Sequence, residues 1–521
     1  MNVAALMADR GELGEQPAII TRGGRARTWL DVLRRRRDPA ISFADLADAA
    51  ARRAGVLRGF GVGEGSAVLL LVPVSVELYV SLIAVLHAGA TAMFLDPSAG
   101  RGHVRDCCDV RTPDVVIGAG KALPLRWLGG PLREAVPTWL HLGGLAWPGV
   151  TPMPDGQPVP VADRDDDDPA VLTFTSGSTG KPKAAVRSHG VLRAQGEAVA
   201  AEFDLRAGEA DLTTLPMFVL ANLAAGVASV LPDVDLGRPG VADGATLARA
   251  VTRHGCTTTA GSPALLKRLA AHGASLPTLR GVFTGGAPVM PSLLDAVAAV
   301  PPGADVTAVY GSTEAEPIAA APRSMLTDAD RQTTRTGGGL LAGVPADVAE
   351  VRVIRDRTGT DLPSLLSEEL DALTLPPNEP GEIVVSGPHV LPGYLNGVGD
   401  AATKIHVGGH VWHRTGDAGR FDDVGRLWLL GRCVARVGDV YPLQVEAALD
   451  GVVDRAALVE REGQRLLLVE PSAAVDAARA AIGDRVDEVR GIPAIPLDKR
   501  NNAKVDYPAL RAMLDRETSL H

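Results

Sequence analysis

The chain has few of the features that mark secreted, zinc-binding or nucleic-acid-binding proteins. Its four cysteines (Cys107, Cys108, Cys256 and Cys433) form no CxxC pair and have no histidine at zinc-ligand spacing. We therefore expect buried free thiols, as in a reducing compartment such as the cytoplasm. The formal net charge is −10 and there is no long basic segment, which argues against nucleic acid as a partner.

An uninterrupted apolar run long enough to cross a membrane is also missing. Met1–Glu15 contains several acidic residues and no apolar core, so we expect no signal peptide. The most apolar stretch, Ser66–Leu95, is interrupted by Pro73, Glu77 and His87. These interruptions divide it into lengths typical of strand, helix and strand. We expect a buried βαβ unit there and no transmembrane segment.

The composition is that of a large globular protein. The length of 521 residues, with 46% hydrophobic and 22% charged residues, predicts about two to four domains. Helical and strand patterns alternate through the first part of the chain, which predicts an α/β fold with a parallel sheet. In that part, the small residues of Leu220–Val230 predict a helix. Residues from about 343 to 385 indicate a β-rich subdomain, and we place a domain boundary between residues 1–430 and a small α+β domain, 431–521.

One stretch combines hydroxyl groups, glycines and lysines: Leu172-Thr-Phe-Thr-Ser-Gly-Ser-Thr-Gly-Lys-Pro-Lys183. Gly177 and Gly180 allow the backbone to approach a ligand closely, and hydroxyls, N–H groups and lysines can surround phosphate oxygens. The stretch is not a Walker P-loop, because the GxxxxGK[ST] spacing is not met and Pro182 follows the first lysine. We interpret it as a different phosphate loop between two strands. A flexible Ser/Gly linker is the alternative.

Two further motifs follow predicted strands. Gly285-Gly-Ala-Pro288 comes after a strand that begins at Val282, and Tyr310-Gly-Ser-Thr-Glu314 comes after the strand Val306–Tyr310. Ligands of open α/β sheets bind at the carboxyl ends of the strands. We therefore expect both turns to lie at a nucleotide site.

These motifs, with Trp412-His-Arg-Thr-Gly-Asp417 and Lys504 near the C-terminus, resemble those of the adenylate-forming superfamily in order and over nearly the whole chain. That superfamily includes acyl-CoA synthetases, peptide-synthetase adenylation domains and luciferases. The resemblance implies a large domain of two α/β subdomains and a β-rich subdomain, followed by a small mobile lid. It also implies that a carboxylate attacks the α-phosphorus of MgATP, releasing pyrophosphate and forming an acyl-adenylate, with Lys504 as the catalytic lysine of the lid.

The resemblance gives each motif a role. Tyr310 would stack on adenine, Thr313 would contact the α-phosphate, and Glu314 would hold Mg²⁺, for which a carboxylate is a suitable hard ligand. Asp417 and Arg432 would contact the ribose hydroxyls. The implied nucleotide-binding residues are Thr175, Ser176, Gly177, Ser178, Thr179, Gly180, Lys183, Gly285, Gly286, Ala287, Pro288, Tyr310, Gly311, Ser312, Asp417 and Arg432. The implied catalytic residues are Lys504, Glu314 and Thr313.

The implied acid pocket is mostly apolar. We expect Pro216–Leu223, Thr284–Ala287 and Ser312–Ile318 to line it. The candidate pocket residues are Met217, Phe218, Val219 and Ile318. These side chains suit a hydrophobic acid, but a helix of the protein core would show the same types.

Several stretches resemble a narrower group, the β-lactone synthetases of olefin biosynthesis. These are Phe94-Leu-Asp-Pro97, Val230-Leu-Pro-Asp-Val-Asp235, Trp412–Asp417 and Arg500-Asn-Asn-Ala-Lys504, with Asn501 where histidine is usual. The resemblance implies that a 3-hydroxy acid is adenylated. The substrate's own hydroxyl would then close a lactone and release AMP without a thiol.

Other acceptors remain alternatives. Val434 stands where the superfamily usually has Asp or Lys, and the glycine-rich segment that normally follows is reduced to Val437-Gly-Asp-Val-Tyr441. These departures favour a thiol-free second step, although CoA, an acyl carrier protein or an amine could accept the acyl group. A non-enzymatic nucleotide-binding protein is a further alternative. The presence of Glu314, Asp417 and Lys504 argues against it.

Overall fold

A computed structural model describes residues 1–9, 13–21, 39–95, 100–126, 132, 136–143, 148–176, 182–497 and 504–518. The chain divides into two compact units. Unit 1 comprises Met1–Asp233 and Pro388–Ala401, and unit 2 comprises Val234–Gly387 and Ala402–His521. Within the described ranges, no helix combines the length and the apolar composition that crossing a bilayer requires.

Unit 1 is built from β-sheets and helices. Its strands are β1 (Pro17–Thr21), β2 (Ala40–Ser42), β3 (Ala67–Leu71), β4 (Thr91–Phe94), β5 (Val115–Gly118), β6 (Thr138–His141), β7 (Thr151–Pro152), β8 (Pro169–Ser176), β9 (Pro182–Ser188), β10 (Ala210–Thr213) and β11 (Ala228–Leu231). Its α-helices are α1 (Val3–Asp9), α2 (Phe43–Gly59), α3 (Val76–His87), α4 (Arg101–Val110), α5 (His189–Glu202) and α6 (Phe218–Ala225).

The strands of unit 1 form mainly parallel sheets. One sheet has the order β7-β6-β5-β3-β4-β8-β9. Its neighbouring strands are parallel except for the antiparallel pair β8 and β9. In the second group, β10, β11 and β1 are parallel neighbours and β2 pairs antiparallel with β1. This arrangement confirms the predicted α/β class and places the hairpin β8–β9 at one edge of its sheet.

The expected βαβ unit is present in β3, α3 and β4. Every residue of β3 is buried, and β3 and β4 are parallel. Ser75 caps α3, because its side chain accepts a hydrogen bond from the backbone N–H of Leu78. Both Leu78 and Ile83 of α3 pack in the same apolar cluster as Val68 of β3. The burial of β3 and of most of α3 explains why this segment is apolar.

Unit 2 changes from parallel to antiparallel pairing along its sheet. Its strands are β12 (Thr258–Gly261), β13 (Gly281–Gly285), β14 (Asp305–Ser312), β15 (Ala315–Pro322), β16 (Leu340–Pro345), β17 (Glu350–Ile354), β18 (Ser364–Leu365), β19 (Gly381–Ser386), β20 (Lys404–Val407), β21 (His410–Phe421), β22 (Leu427–Arg432), β23 (Arg455–Arg461), β24 (Gln464–Glu470) and β25 (Glu488–Gly491). The helices of this part of the chain are α7 (Gly244–His254), α8 (Pro263–His272), α9 (Pro291–Ala298), α10 (Asp328–Arg335), α11 (Ser367–Leu373), α12 (Asp400–Thr403, where the chain returns from unit 1), α13 (Pro442–Glu446), α14 (Val475–Ile482) and α15 (Tyr507–Thr518).

In the large sheet of unit 2, β12, β13 and β14 are parallel. From β14 the order continues through β15, β16, β22, β21 and β19 to β17. All of these later neighbours are antiparallel. The change occurs at β14 and β15, next to the predicted Tyr310–Glu314 motif.

A separate small sheet, β23-β24-β25, forms the C-terminal part of unit 2. Alternate residues of β23 pack on opposite faces, as the strand period requires. On one face, Leu458 packs in a cluster with Ile482 of α14. On the other, Val459 packs in a cluster with Leu510 and Leu514 of α15. The small sheet is therefore covered on both faces and has its own core.

The C-terminal part contacts the large sheet of unit 2 through α13 and the turn that follows. Leu443 packs against Leu340, and Gln444 Nε2 donates a hydrogen bond of 3.2 Å to the carbonyl oxygen of Gly337. The backbone N–H of Ser292, at the start of α9, donates to Asp450 Oδ2 over 2.8 Å. A carboxylate at a helix N-terminus satisfies an unpaired N–H and suits the helix dipole.

The predicted helix Leu220–Val230 is wrong in its second half. The helix α6 ends at Ala225 because Gly226 adopts a left-handed conformation, with φ of 75°. The following residues, Ala228–Leu231, form the fully buried strand β11. A short run of small apolar residues does not distinguish a buried strand from a buried helix.

Candidate active site

The hairpin β8–β9 holds both ends of the predicted phosphate loop. Thr175 pairs with Lys183 and Ser176 pairs with Pro182. The loop therefore leaves and re-enters the sheet between two paired strands. The predicted contacts Gly177, Ser178, Thr179 and Gly180 lie outside the described residues.

Lys183 has a defined position beside this loop. Its Nζ lies 5.2 Å from the centroid of the Tyr394 ring, which is a favourable place for a cation. A Cβ atom on Gly399 would come within 2.5 Å of Lys183 Cε. Glycine at that position therefore leaves room for the lysine side chain. The motif identified Lys183, whereas no sequence signal indicated its contact with Tyr394.

Arg187 is a buried cation of the same hairpin that the sequence did not single out. It is 7% exposed. Its Nη1 donates to Thr173 Oγ1 over 3.2 Å, and its Nε donates to Gln195 Oε1 over 3.1 Å. A lone arginine in a short strand looks like an ordinary solvent-facing residue, so only the fold reveals its position. Its bonds join β8, β9 and α5.

In unit 2, three predicted nucleotide contacts lie together. Tyr310 Oη donates a hydrogen bond of 2.9 Å to Asp417 Oδ2. Arg432 Nη1 donates to Asp417 Oδ1 over 3.1 Å and to the carbonyl oxygen of Thr415 over 2.9 Å. Asp417 and Arg432 are direct cross-strand partners in β21 and β22. The carboxylate is thus held from two sides, in an orientation suited to accepting hydrogen bonds from hydroxyl groups.

The strand that carries Asp417 is fixed by buried polar contacts. Thr415 Oγ1 donates to the carbonyl oxygen of Ile383 and accepts from the backbone N–H of Asp417. Next to it, Arg414 and Glu382 form an ion pair of 2.7 Å with side chains that are 3% and 4% exposed. Removing one member of such a pair leaves an uncompensated buried charge. These contacts restrict the movement of Asp417.

Glycine is required at two of the motif positions for steric reasons. Gly416 has φ of 68°, and a Cβ there would lie 3.0 Å from Arg432 Nη2. A Cβ on Gly285 would lie 2.5 Å from the carbonyl oxygen of Val309, because β13 and β14 pair at that position. Larger residues would displace Arg432 or separate the strands.

The electrostatics of this cluster follow from burial and charge pairing. The Asp417 carboxylate raises the pKa of the Arg432 guanidinium above its usual value. Burial raises the pKa of the Tyr310 phenol well above its usual range, and the nearby Asp417 charge acts in the same direction. Tyr310 is therefore a neutral hydrogen-bond donor at physiological pH, and Arg432 is a permanent cation.

The remaining residues of the Tyr310–Glu314 motif lie where β14 turns into β15. Thr313 and Glu314 form the turn, with Ser312 paired to Ala315 across it. Both side chains are partly exposed. The Ser312 Oγ atom is buried and, among the described residues, has no hydrogen-bond partner. A buried hydroxyl without a partner is unfavourable, which is compatible with a ligand group at this turn.

The glycine turn after β13 lies on the strand next to β14. Gly286 has φ of 79°, which favours glycine. Ala287 and Pro288 follow it before α9. Thr284 is also buried, and its Oγ1 is without a hydrogen-bond partner in the described part of the chain. The predicted residues of the two turns are therefore on neighbouring strands of one sheet.

The predicted pocket residues belong to different units. Met217, Phe218 and Val219 lie at the start of α6 in unit 1, and Ile318 lies in β15 of unit 2. Val219 and Ile318 are fully buried, whereas Met217 and Phe218 are partly exposed. The Phe218 ring packs edge-on against Phe203, with ring centroids 5.4 Å apart. Their role in acid binding stays a prediction.

Lys504 lies at the end of the predicted C-terminal motif and is exposed. The next residue, Val505, forms a β-bridge with Leu497, and the backbone N–H of Asp506 donates to the Pro496 carbonyl oxygen over 2.9 Å. Residues 498–503 lie outside the described residues. The two ends of the lysine segment are therefore held together at its base.

Comparisons with known proteins find a family match and relatives that cover most of the chain. Residues 23–395 match the AMP-binding enzyme family. The olefin beta-lactone synthetase of Xanthomonas campestris pv. campestris is 34% identical over 536 residues, covering 95% of this chain and 94% of that protein. The olefin beta-lactone synthetase of Stenotrophomonas maltophilia is 35% identical over 520 residues, covering 92% of each.

Solved structures support the same fold at lower sequence identity. The amide bond synthetase McbA from Marinactinospora thermotolerans has a TM-score of 0.76 and 24% identity, and the match covers 98% of this chain and 99% of that one. The O-succinylbenzoate coenzyme A synthetase MenE from Bacillus subtilis, in complex with ATP and magnesium ion, has a TM-score of 0.74 and 19% identity, covering 95% and 97%.

The chain belongs to the AMP-binding enzyme family, and its fold is that of the adenylate-forming enzymes. More narrowly, it is an AMP-forming ligase that uses ATP to activate a small-molecule carboxylic acid, similar over most of its length to olefin beta-lactone synthetases. The family, fold class and reaction type predicted from the motifs are confirmed.

Proposed function

We propose that this ligase activates a hydrophobic 3-hydroxy acid and that the hydroxyl of the acid then displaces AMP to form a β-lactone. The support for the second step is the similarity to two olefin beta-lactone synthetases over 95% and 92% of the chain. The observation that carries the first step is the cluster in which Tyr310 and Arg432 hold the Asp417 carboxylate. This cluster suits the two hydroxyl groups of a ribose.

The proposed chemistry balances without an oxidant or a thiol. In the first step, a carboxylate oxygen bonds to the α-phosphorus of ATP, and the bond to the pyrophosphate oxygen breaks. In the second, the 3-hydroxyl oxygen bonds to the acyl carbon, its proton leaves to solvent, and AMP departs with the former carboxylate oxygen. The product is one water lighter than the acid.

In the proposed site, positioning and charge stabilisation provide most of the rate acceleration. The backbone and hydroxyl groups of the loop after β8 would surround the phosphates. Lys504 would neutralise charge that develops on the reacting groups. Asp417 and Arg432 would fix the ribose, and the turn after β14 would place Thr313 next to the α-phosphate.

Mg²⁺ is part of the proposal. Glu314 provides a hard oxygen ligand at a partly exposed turn. Within the described residues, no group of three or more His, Cys, Asp or Glu side chains could hold a metal ion. This fits an ion that takes one protein carboxylate and otherwise water and substrate phosphate oxygens, as Mg²⁺ commonly does. When bound, the ion would neutralise phosphate charge.

The proposal also assigns the enzyme to a reducing compartment, the cytoplasm. Its four cysteines, Cys107, Cys108, Cys256 and Cys433, all lie in the described part of the chain, where each is a buried thiol outside any disulfide. Burial raises the pKa of the Cys107 thiol to about 12 and that of Cys108 to about 11, so both thiols are unreactive at neutral pH.

A matched pair of acids tests the function. The enzyme is incubated with MgATP and a panel of 3-hydroxy fatty acids of increasing chain length, each paired with the same acid lacking the hydroxyl, and no thiol is added. We expect AMP in multiple turnovers only with the hydroxy acids, because the unsubstituted adenylates have no internal nucleophile. Equal turnover with both series, or turnover only after CoA, an acyl carrier protein or an amine is added, would refute lactone formation.

A further inference from the structure

A carboxylate in the C-terminal part of unit 2 is bonded to the segment that carries Lys504. Glu446 is the last residue of α13, and its Oε1 accepts a hydrogen bond of 2.7 Å from Tyr507 Oη. The same oxygen accepts a bond of 2.9 Å from the backbone N–H of Leu458. Leu458 lies in β23, which pairs on its other edge with β24. The Glu446 Oε1 atom therefore links α13, which carries it, to the backbone of β23 and to the side chain of Tyr507.

Tyr507 anchors the chain immediately after Lys504. It is the first residue of α15, three positions beyond the lysine. Its ring and the side chain of Val505 pack against the apolar cluster that contains Val459 and Leu510. On the other side, the Leu497–Val505 bridge closes the base of the lysine segment. The position of Tyr507 therefore helps to determine the backbone position of Lys504 and the direction of its side chain.

The helix that carries Glu446 is also the helix that docks on the large sheet of unit 2. Leu443 packs against Leu340, and Gln444 Nε2 bonds to the Gly337 carbonyl oxygen. A continuous series of contacts therefore runs from the large sheet through α13 to Glu446. It continues through the phenol of Tyr507 to the base of the lysine segment.

We propose that Glu446 and Tyr507 are positioning residues, which transmit the docked position of α13 to Lys504 and so place the lysine for adenylate formation. The proposal depends on the role given to Lys504 under the proposed function. Neither residue touches the reacting atoms. Each acts through the lysine segment, so their loss lowers the rate of the step in which Lys504 participates and leaves ATP binding unchanged.

The charge state of Glu446 gives the proposal an additional readout. Burial raises the pKa of Glu446 to about 7. The ionisable side chain that is hydrogen-bonded to Glu446 is Tyr507. Arg511, one turn further along α15, is a positive charge close enough to Tyr507 to lower the pKa of its phenol. An ionised carboxylate accepts a stronger hydrogen bond than a neutral carboxylic acid. The kcat for adenylation is therefore expected to rise between pH 6 and pH 8.

The test compares isosteric variants of the full-length enzyme in ATP–pyrophosphate exchange, using the acid that gives the most AMP in the panel. Tyr507→Phe removes the donor, and we expect kcat to fall about fivefold with the KM for ATP unchanged, as for loss of one ordinary hydrogen bond. Glu446→Gln retains an acceptor oxygen, and we expect it to keep most of kcat at pH 7 and to lose the rise between pH 6 and 8. Glu460→Gln, at an exposed position near the end of the same strand β23, is the matched control.

The outcomes separate this inference from the proposed function. A wild-type kcat in Tyr507→Phe, or a raised KM for ATP in either variant, would overturn the positioning role. An unchanged pH profile in Glu446→Gln would do the same. If Lys504→Ala keeps full exchange activity, or no acid is turned over, the proposed function fails and this inference fails with it. A slow Lys504→Ala enzyme beside a fully active Tyr507→Phe enzyme refutes the inference alone.

Discussion

At the scale of single residues, the proposed ribose site depends on Asp417. Its carboxylate is held by Tyr310 and Arg432, so it is positioned before a ligand arrives. We expect Asp417→Asn to raise the KM for ATP by about tenfold, as for the loss of a charged hydrogen-bond acceptor, and to change kcat less. Asp423→Asn is the control, because Asp423 is exposed and its Oδ1 accepts a hydrogen bond from Asn378 Nδ2 in the turn after β21. Initial rates at varied ATP decide the question, and an unchanged KM would contradict the assignment.

Lys504 is the second residue whose role can be measured alone. Loss of a well-placed cation typically lowers a rate by roughly 10²–10³, and we expect Lys504→Ala to reduce pyrophosphate exchange to that extent. Lys267→Ala removes an exposed lysine from α8 and should have no effect. If both variants retain normal exchange, Lys504 does not take part in adenylation.

Sequence motifs identified the residue types of the site but not their contacts. Tyr310 and Asp417 are 107 positions apart, and their hydrogen bond exists only because β14 and β21 belong to one folded unit. Arg187 and Glu446 had no motif to mark them. Each is one polar residue in an otherwise ordinary segment, and its importance comes from its contacts with distant segments in the folded chain, which a single sequence does not reveal.

At the scale of secondary structure elements, α9 is capped by a carboxylate from a distant part of the chain. Ser292 at its start is bonded to Asp450, which follows α13. Loss of such a cap typically costs about 1 kcal/mol. We therefore expect Asp450→Ala to increase hydrogen–deuterium exchange at the first turn of α9 and in α13. Asp454→Ala, at an exposed position in the next turn, serves as the comparison, and equal exchange in both variants would show that the contact does not stabilise the docked arrangement.

Element assignment from the sequence succeeded where length and flanking residues were distinctive. The stretch Ser66–Leu95, which Pro73, Glu77 and His87 interrupt, folds as the expected strand, helix and strand, β3, α3 and β4. Assignment failed at β11, where Gly226 ends a helix inside a continuous apolar run. The apolar residues after Gly226 could be buried as a helix or as a strand. Pairing with the neighbouring strands β1 and β10 makes them the strand β11.

At the scale of the whole molecule, Glu446 makes stability depend on pH. A carboxyl group whose pKa is raised by folding binds more protons when folded, so its contribution is present at low pH and is lost as pH rises through about 7. We expect the melting temperature of Glu446→Gln, relative to the wild type, to increase from pH 5 to pH 8. A difference that is constant over this range would mean that Glu446 titrates normally. Glu460→Gln should show no such trend.

The overall architecture was predictable because each part has its own periodicity. Alternating helices and strands indicated the parallel sheets, and the β-rich pattern indicated the antiparallel strands after β14. The predicted boundary between residues 430 and 431 stays a prediction. The division of the chain into two compact units depends on contacts between distant segments, such as those that place Pro388–Ala401 in unit 1. Contacts of this kind produce no periodic pattern in the sequence.

The most direct test of the central claim follows the oxygen atoms. A 3-hydroxy acid with both carboxyl oxygens labelled as ¹⁸O is incubated with enzyme and MgATP without a thiol. The masses of the products are then measured by mass spectrometry. Lactone formation from an acyl-adenylate predicts AMP with one ¹⁸O and a product, one water lighter than the acid, that keeps one ¹⁸O. Unlabelled AMP would contradict adenylation. Labelled AMP that forms only once CoA, a carrier protein or an amine is added would contradict lactone closure.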